Sequence, residues 1–174
     1  MWNNHTENWH ALFVYTGREH TIRDALEAYL GDEISFLVPQ RELRERKAGK
    51  WRRIKRNLFP GYILLKGDLS IDNYYRIKEL PVLAKVLRDE DGPLRIREEE
   101  LEVLNVLIDN QDGNIDISTA YKEDEEIKVV EGPLLGLEGR IESVNVRKGR
   151  ARVRLEFLGD TRLVDLGLDF IDKI

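Results

Sequence analysis

Apolar and polar positions change rhythm twice along the chain. Trp9 to Tyr15, WHALFVY, is dense in aromatic and β-branched residues and predicts a buried strand, closed by a turn at Thr16-Gly17. In REHTIRDALEAYLG the apolar residues Ile22, Ala25, Leu26, Tyr29 and Leu30 recur at helical spacing, and Gly31 stands where a left-handed C-cap is expected. Ile34 to Val38 predicts a second strand, broken by Pro39. Leu43 to Ile54 predicts a hairpin with its tip at Ala48, Gly49 and Lys50. A Pro60-Gly61 turn leads into the apolar run Tyr62 to Leu65, a central strand. Ser70 is placed to cap a helix carrying Ile71, Tyr74, Tyr75 and Lys78, which ends before Pro81. Val82 to Leu87 predicts another strand, and Glu98 to Ile108 a third helix through Leu101, Leu104 and Leu107. Strands alternating with helices up to residue 108 describe an α/β sandwich.

Beyond that point the helical spacing disappears. Asp109 to Glu126 is rich in Asp, Asn and Glu and poor in apolar residues, a linker composition. From Ile127 short alternating segments follow: IKVV, EGRIESVNV, RARVRLEFL, TRLVDL and DFIDKI, separated by glycine-containing turns. They predict a small five-stranded all-β barrel. The expected organisation is a domain over 1–108, a linker over 109–121 that lets the parts move independently, and a second domain over 122–174.

Charge sharpens this picture. The chain of 174 residues carries 28 Lys and Arg against 33 Asp and Glu, a net charge of −5. Yet Arg41 to Arg56 holds nine cations and two carboxylates, so a chain that is acidic on average presents a concentrated basic hairpin to polyanions. With no cysteine, neither a disulfide framework nor a thiol nucleophile is available, and three histidines leave little for a metal site. No run approaches the roughly 18 apolar residues of a membrane span, and the start MWNNHTENWH lacks the pattern of a signal peptide, so a cytoplasmic location is expected.

Catalytic signatures are missing. His5, His10 and His20 show no metalloprotease spacing, and neither a Gly-x-Ser-x-Gly elbow nor a phosphate-binding loop occurs. Asp89, Asp91 and Gly92, like Asp109, Asp112 and Gly113, resemble fragments of a calcium loop without its terminal Glu and read as solvated turns. The chain reads as a binding protein needing no cofactor.

The recognition surfaces carry a family resemblance. Phe59-Pro60-Gly61-Tyr62, just after a basic hairpin, resembles the tetrapeptide of the NusG family of transcription elongation factors. Trp9 stands at that family's opening strand, and Phe36-Leu37-Val38-Pro39 and Leu80-Pro81-Val82 match two further elements of its amino-terminal domain. Glu131-Gly132-Pro133-Leu134, Gly136-Leu137-Glu138-Gly139 and Ile141 have the spacing of a KOW motif, and Phe157 to Val164 matches the closing strands of its barrel. The resemblance spans 9–174. It implies an amino-terminal NGN sandwich, with an antiparallel sheet and helices, followed by a KOW barrel of SH3 type.

It also implies partners. Members dock an exposed aromatic patch on the clamp helices of RNA polymerase and so resist pausing; by position the patch here is Trp9, Phe59, Pro60, Tyr62 and Leu64, with Leu64 placed least firmly because strand alternation can turn it into the core. His10 replaces a second aromatic at the patch edge, and a partly buried histidine of the first strand is the competing account. Housekeeping members use an apolar residue of the KOW turn to hold a termination factor or ribosomal protein, a position filled by Leu134.

Specialised members of LoaP type promote antitermination and bind an RNA hairpin, and this chain resembles them in its cations. Arg147, Lys148, Arg150, Arg152 and Arg154 lie close together, and the last three alternate with Ala151, Val153 and Leu155, which sets three guanidinium groups on one strand face. Such a ridge, with Arg140 as neighbour, suits RNA phosphates and base edges; a solvated outer face balanced by Glu142 and Glu156 is the alternative. Lys47, Lys50, Trp51, Arg52 and Arg53 of the hairpin face RNA, upstream DNA or the polymerase surface, with Trp51 either a stacking platform or an anchor to its own sheet. Arg18 and His20, with Arg23, are expected to face outward from the first helix, where related factors meet the non-template strand. The expected protein is thus a monomeric elongation and antitermination factor with RNA polymerase and a structured RNA as partners; the alternative is an adaptor whose barrel binds protein. The barrel's valines and glycines disfavour the conversion to helices known in some relatives.

Overall fold

A computed structural model of the chain describes residues 8–67, 69–80, 84–108 and 112–172. Strand β1 (Trp9–Val14) leads into helix α1 (Glu19–Leu30), followed by β2 (Ser35–Leu37), a hairpin of β3 (Gln40–Lys47) and β4 (Lys50–Asn57), and β5 (Tyr62–Lys66). Helix α2 (Ile71–Glu79), β6 (Ala84–Val86), a small hairpin of β7 (Arg88–Asp89) and β8 (Gly92–Pro93), and helix α3 (Glu98–Leu107) complete the amino-terminal part. Pro81 and Val82, and with them the start of the strand expected over 82–87, lie outside the described residues.

The sheet runs β2-β5-β1-β6, with β5 antiparallel to both β1 and β2. Its central strands separate two cores. Leu12, Val14, Ile63 and Leu65 face one side with Ile22, Leu26 and Leu30 of α1 and Ile77 of α2. Trp9, Ala11 and Leu64 face the other with Leu104 and Leu107 of α3. The period of two along a strand produces this division, and it puts Tyr62 beside Leu64 and opposite Phe13.

α1 buries Ile22, Leu26 and Leu30 at the expected spacing, while Ala25 and Tyr29 stay exposed, so the apolar stripe is narrower than the sequence suggests. Gly31 is not left-handed: φ is −62° and its N–H still donates to Glu27 O at 2.8 Å, so the last turn ends without reversal. Ser70 Oγ accepts from Asn73 N–H at 3.1 Å and caps α2 as expected. Three glutamates in the first turn of α3 suit its N-terminal dipole.

The carboxy-terminal part is a five-stranded sheet, ordered β11-β10-β14-β13-β12, formed by β10 (Ser118–Glu123), β11 (Glu126–Glu131), β12 (Ile141–Asn145), β13 (Arg150–Phe157) and β14 (Asp160–Phe170). The count of five agrees with the sequence pattern, but one member does not. TRLVDL and DF form the single strand β14, and β10 comes from within the stretch read as linker. The reason lies at Gly167, which makes no turn: a Cβ there would sit 2.6 Å from Glu42 O and 2.7 Å from Ile117 Cγ1, so glycine permits a close backbone approach inside a continuous strand. Before β10, strand β9 (Asn114–Ile115) pairs in parallel with Gln40 and Arg41 of β3, making the basic hairpin a three-stranded sheet that joins the two parts. Residues 109–111, and Lys173 and Ile174 of the last expected strand, lie outside the described residues.

Candidate functional site: a covered aromatic face and a divided basic surface

Phe59-Pro60-Gly61-Tyr62 is a type II turn. Tyr62 N–H donates to Phe59 O at 3.1 Å, and Gly61 has φ +87°, open to glycine without strain. Glu19, in the first turn of α1, clamps this turn from below. Its Oε1 accepts from Gly61 N–H at 2.8 Å, both oxygens accept from Gly17 N–H at 3.0 Å, and Oε2 accepts from Asn57 Nδ2 at 3.0 Å. Burial pushes the Glu19 carboxyl up, but the backbone amide bonds outweigh it and leave its pKa below the ordinary value. The helix start thereby fixes where the aromatic rings point.

The patch expected to be exposed is largely covered. Trp9, Phe59 and Leu64 are 5%, 2% and 0% exposed, Tyr62 is half-buried, and only Pro60, with neighbouring Phe13, opens to solvent. Trp9 and Leu64 share a core with Leu104 and Leu107 of α3, while over Phe59 and Tyr62 the cover is the barrel. Its inward row Ala151, Val153, Leu155 and Phe157 ends in a ring that stacks on Phe59 with centroids 4.1 Å apart and planes within 6°, and that meets Tyr62 edge-on at 5.3 Å. Arg162 reaches from β14 over the rings of Tyr62 and Phe157, 5.0 and 5.3 Å from their centroids, and its Nη2 donates to Tyr62 Oη at 3.2 Å. Glu100 joins the parts through one carboxylate, Oε1 accepting from Arg97 N–H and Oε2 from Gly159 N–H, each at 3.0 Å. Arg44 pairs with Asp169 at 2.9 Å and Arg150 with Glu45 at 4.0 Å across the same boundary.

Burying a large apolar side chain contributes about 1.5–3 kcal/mol, a partly exposed ion pair about 0–1 kcal/mol. The stacked rings therefore dominate the contact and the ion pairs set its register. In this arrangement the two parts are packed together, unlike the independent motion that the linker composition predicts. Composition missed the apolar match between Phe59 and Phe157, which are 98 positions apart.

His10 resolves as a buried strand residue. Its Nδ1–H donates to Leu94 O at 2.9 Å, and burial lowers its pKa, opposed by that bond and reinforced by the Arg95 cation. His20, expected to face outward, is held half-buried at the root of the hairpin, where its Nε2 lies 2.8 Å from Asn57 Oδ1 and 3.2 Å from Gln40 Nε2. Arg18 is exposed at the start of α1. Leu134, read as the exposed apolar residue of the KOW turn, is buried, its N–H donating to Ser118 Oγ at 2.9 Å; the adjacent Leu135 is exposed instead.

The cations fall into two groups. On β13 the expected alternation is present, Ala151, Val153 and Leu155 inward and Arg150, Arg152 and Arg154 outward, but each of these arginines has a carboxylate. Arg150 lies 3.9 Å and Arg152 3.4 Å from Asp165, Arg154 pairs with Glu142, and Arg140 with Glu156 at 2.8 Å. On the hairpin Arg53 pairs with Glu42 at 3.6 Å. Lys47, Lys50 and Arg52, by contrast, and Arg147 and Lys148 of the turn between β12 and β13, are exposed, and among the described residues no carboxylate lies within 4.0 Å of their charged groups. Trp51 is 51% exposed beside them and does not anchor the hairpin to a core. Glu19, Glu100, Phe157 and Arg162 escaped sequence reasoning, since nothing in their local spacing marks a partner so distant.

Comparison with known proteins places this arrangement. The family model described as transcription termination factor nusG matches residues 7–105. The chain is 30% identical to the transcription termination/antitermination protein NusG of Haemophilus influenzae, covering 97% of this chain and 95% of the relative. It is 26% identical to the protein of the same name from Bacillus subtilis, covering 97% and 99%. A solved structure described as domain interaction in Thermotoga maritima NusG shares the fold, with a TM-score of 0.54 over 93% of this chain and 94% of that one at 15% identity. The sandwich, the aromatic turn and the barrel are together those of a bacterial transcription factor, and the chain belongs to the NusG family.

Proposed function

We propose that the chain is a transcription elongation and antitermination factor that docks on the clamp helices of RNA polymerase through Trp9, Phe59, Pro60, Tyr62 and Leu64, and contacts structured nascent RNA through its basic residues, as members of LoaP type do. The observation that carries this is the aromatic turn itself. Glu19 holds its backbone independently of the barrel, so the rings keep their placement when the barrel leaves. Large apolar rings on a preset turn are favoured anchors of a protein interface, because they bury area at little rotamer cost. Docking requires the barrel to move off Phe59. The protein acts in the cytoplasm as a monomer, by binding rather than catalysis, with Arg18 a contact for the displaced DNA strand.

The exposed Leu135, together with the carboxylates that neutralise the β13 arginines, favours a second reading. In it the chain is a housekeeping adaptor whose barrel binds a ribosomal protein or termination factor without RNA affinity.

Binding of the purified chain to RNA polymerase tests the first point. Phe59→Ala frees the barrel yet removes the anchor, so polymerase affinity is expected to fall at least tenfold, as for a buried interface aromatic. Unchanged affinity would sink this docking mode. Read-through of a terminator downstream of the protein's own leader transcript, compared with an unrelated leader, separates the specialised factor from the adaptor.

A further inference from the structure

Hairpin and barrel together form a feature that neither contains alone. Trp51 and Arg44 on one side, and the turn Val146 to Gly149 with the end of β14 on the other, enclose a groove of about 490 Å³. Its wall is apolar where it meets solvent: Trp51, Val146 and Ile171 are all exposed there. Its rim is cationic. Arg147 and Lys148 stand on the barrel side, and on the hairpin Arg46, the cross-strand partner of Trp51, shares its face, while Lys50 and Arg52 alternate to the other. The one carboxylate lining the groove, Asp169, is engaged by Arg44 at 2.9 Å.

We infer that this groove is a nucleotide-binding site for unpaired RNA, in which a base stacks on Trp51 while Arg147 and Lys148 hold the flanking phosphates. The inference rests on the RNA-binding reading above and relocates its contact surface from the β13 ridge to the groove. An open aromatic face between cations is the arrangement that captures single-stranded nucleic acid, since every base offers a π-face and every nucleotide a phosphate. The ridge is a poorer binder for a stated reason. A phosphate arriving at Arg152 or Arg154 must displace Asp165 or Glu142, whereas at Arg147 and Lys148 it displaces only counterions. An acidic peptide would match the rim but gains less from a flat ring beside it.

The groove exists only while the barrel covers Phe59. RNA in the groove and a partner on the aromatic face therefore oppose each other, by the same factor in both directions. RNA capture here belongs to the covered state that precedes polymerase docking.

Anisotropy titrations over a salt series test this, with two probes: an RNA stem-loop carrying an unpaired purine loop, and a blunt RNA duplex of equal charge. Trp51→Ala lies on an exposed hairpin position, and circular dichroism verifies its fold. It is expected to weaken the stem-loop roughly tenfold or more and to leave the duplex unchanged. Arg147→Ala and Lys148→Ala are each expected to lower the salt slope by about one unit or slightly less, and Arg154→Ala not to change it. If Trp51→Ala binds like the unaltered chain while joint loss of Arg150, Arg152 and Arg154 abolishes binding, the groove is wrong and the RNA-binding reading stands. No RNA binding by the unaltered chain overturns both. Quenching of Trp51 by a poly-glutamate peptide but not by the stem-loop makes this a protein-binding groove and overturns the inference.

Discussion

The two faces of the amino-terminal sheet are built from the same strands and yet are different kinds of surface. One packs on α1 and α2, which follow their strands closely in the chain, and its core is mostly aliphatic, with Leu12, Val14, Ile22, Leu26, Leu30, Ile63 and Leu65 around the single buried ring of Phe36. The other packs on α3 and on a barrel from the far end of the chain, and there aromatic stacking, a cation over rings, a tyrosine hydroxyl and a shared carboxylate accompany the burial. Polar detail of that sort suits a contact whose two sides are also stable apart. On the proposed docking mode, the difference separates a permanent core from a surface held in reserve.

That comparison breaks most sharply at Leu26. Leu26→Ala removes a fully buried side chain from the permanent face and is expected to cost about 2–5 kcal/mol of global stability in denaturant unfolding. If the loss were small, the α1 face would not be the permanent one. Arg162→Ala addresses the reserved face. It removes the hydrogen bond to Tyr62 and the cation over both rings while leaving each core filled, so about 1–2 kcal/mol of the contact is lost and the uncovered population rises roughly tenfold. Energy transfer between labels on α2 and β11 reads that opening, and polymerase affinity is expected to rise with it. An unaltered distance distribution would show the contact to be permanent.

A third effect, comparable in size to the second, concerns the turn between the faces. The folded-state pKa of Glu19 lies below its ordinary 4.5, so the ionised carboxylate favours the folded state. Its contribution is full above about pH 4.5 and is lost as the pH falls through the depressed folded value. Glu19→Gln is expected to lower stability at neutral pH by about 1–3 kcal/mol and to flatten the acid limb of the stability curve. Thermal unfolding across pH 3 to 7 measures both, and an acid limb that survives the substitution would assign that limb to other groups.

What the sequence made legible follows the same division. Local periodicity revealed α1, the hairpin and the alternation on β13, because each is written in residues two to four apart. It misassigned the fifth barrel strand, because glycine marks a turn and a close approach alike, and Gly167 is the second. The aromatic turn was recognisable by its residues, but its cover was not. Phe157 reads as ordinary barrel core until its distance from Phe59 is known. Of the carboxylates that neutralise the β13 arginines, Glu142 was legible as a counter-charge, whereas Asp165 was not, because it lies on the neighbouring strand β14.

The strand β9 that stitches the barrel to the hairpin has a consequence for competition. A barrel tethered through so short a connection meets the aromatic face at an effective concentration on the order of millimolar, whatever the dilution of the protein. Any partner in solution competes against that fixed concentration, and its apparent dissociation constant is its intrinsic one divided by the fraction of uncovered molecules. Weak encounters are filtered out by this tax, while a partner offering a further contact elsewhere on the chain overcomes it. The connection thus acts as a threshold on partner choice, set by geometry and independent of expression level.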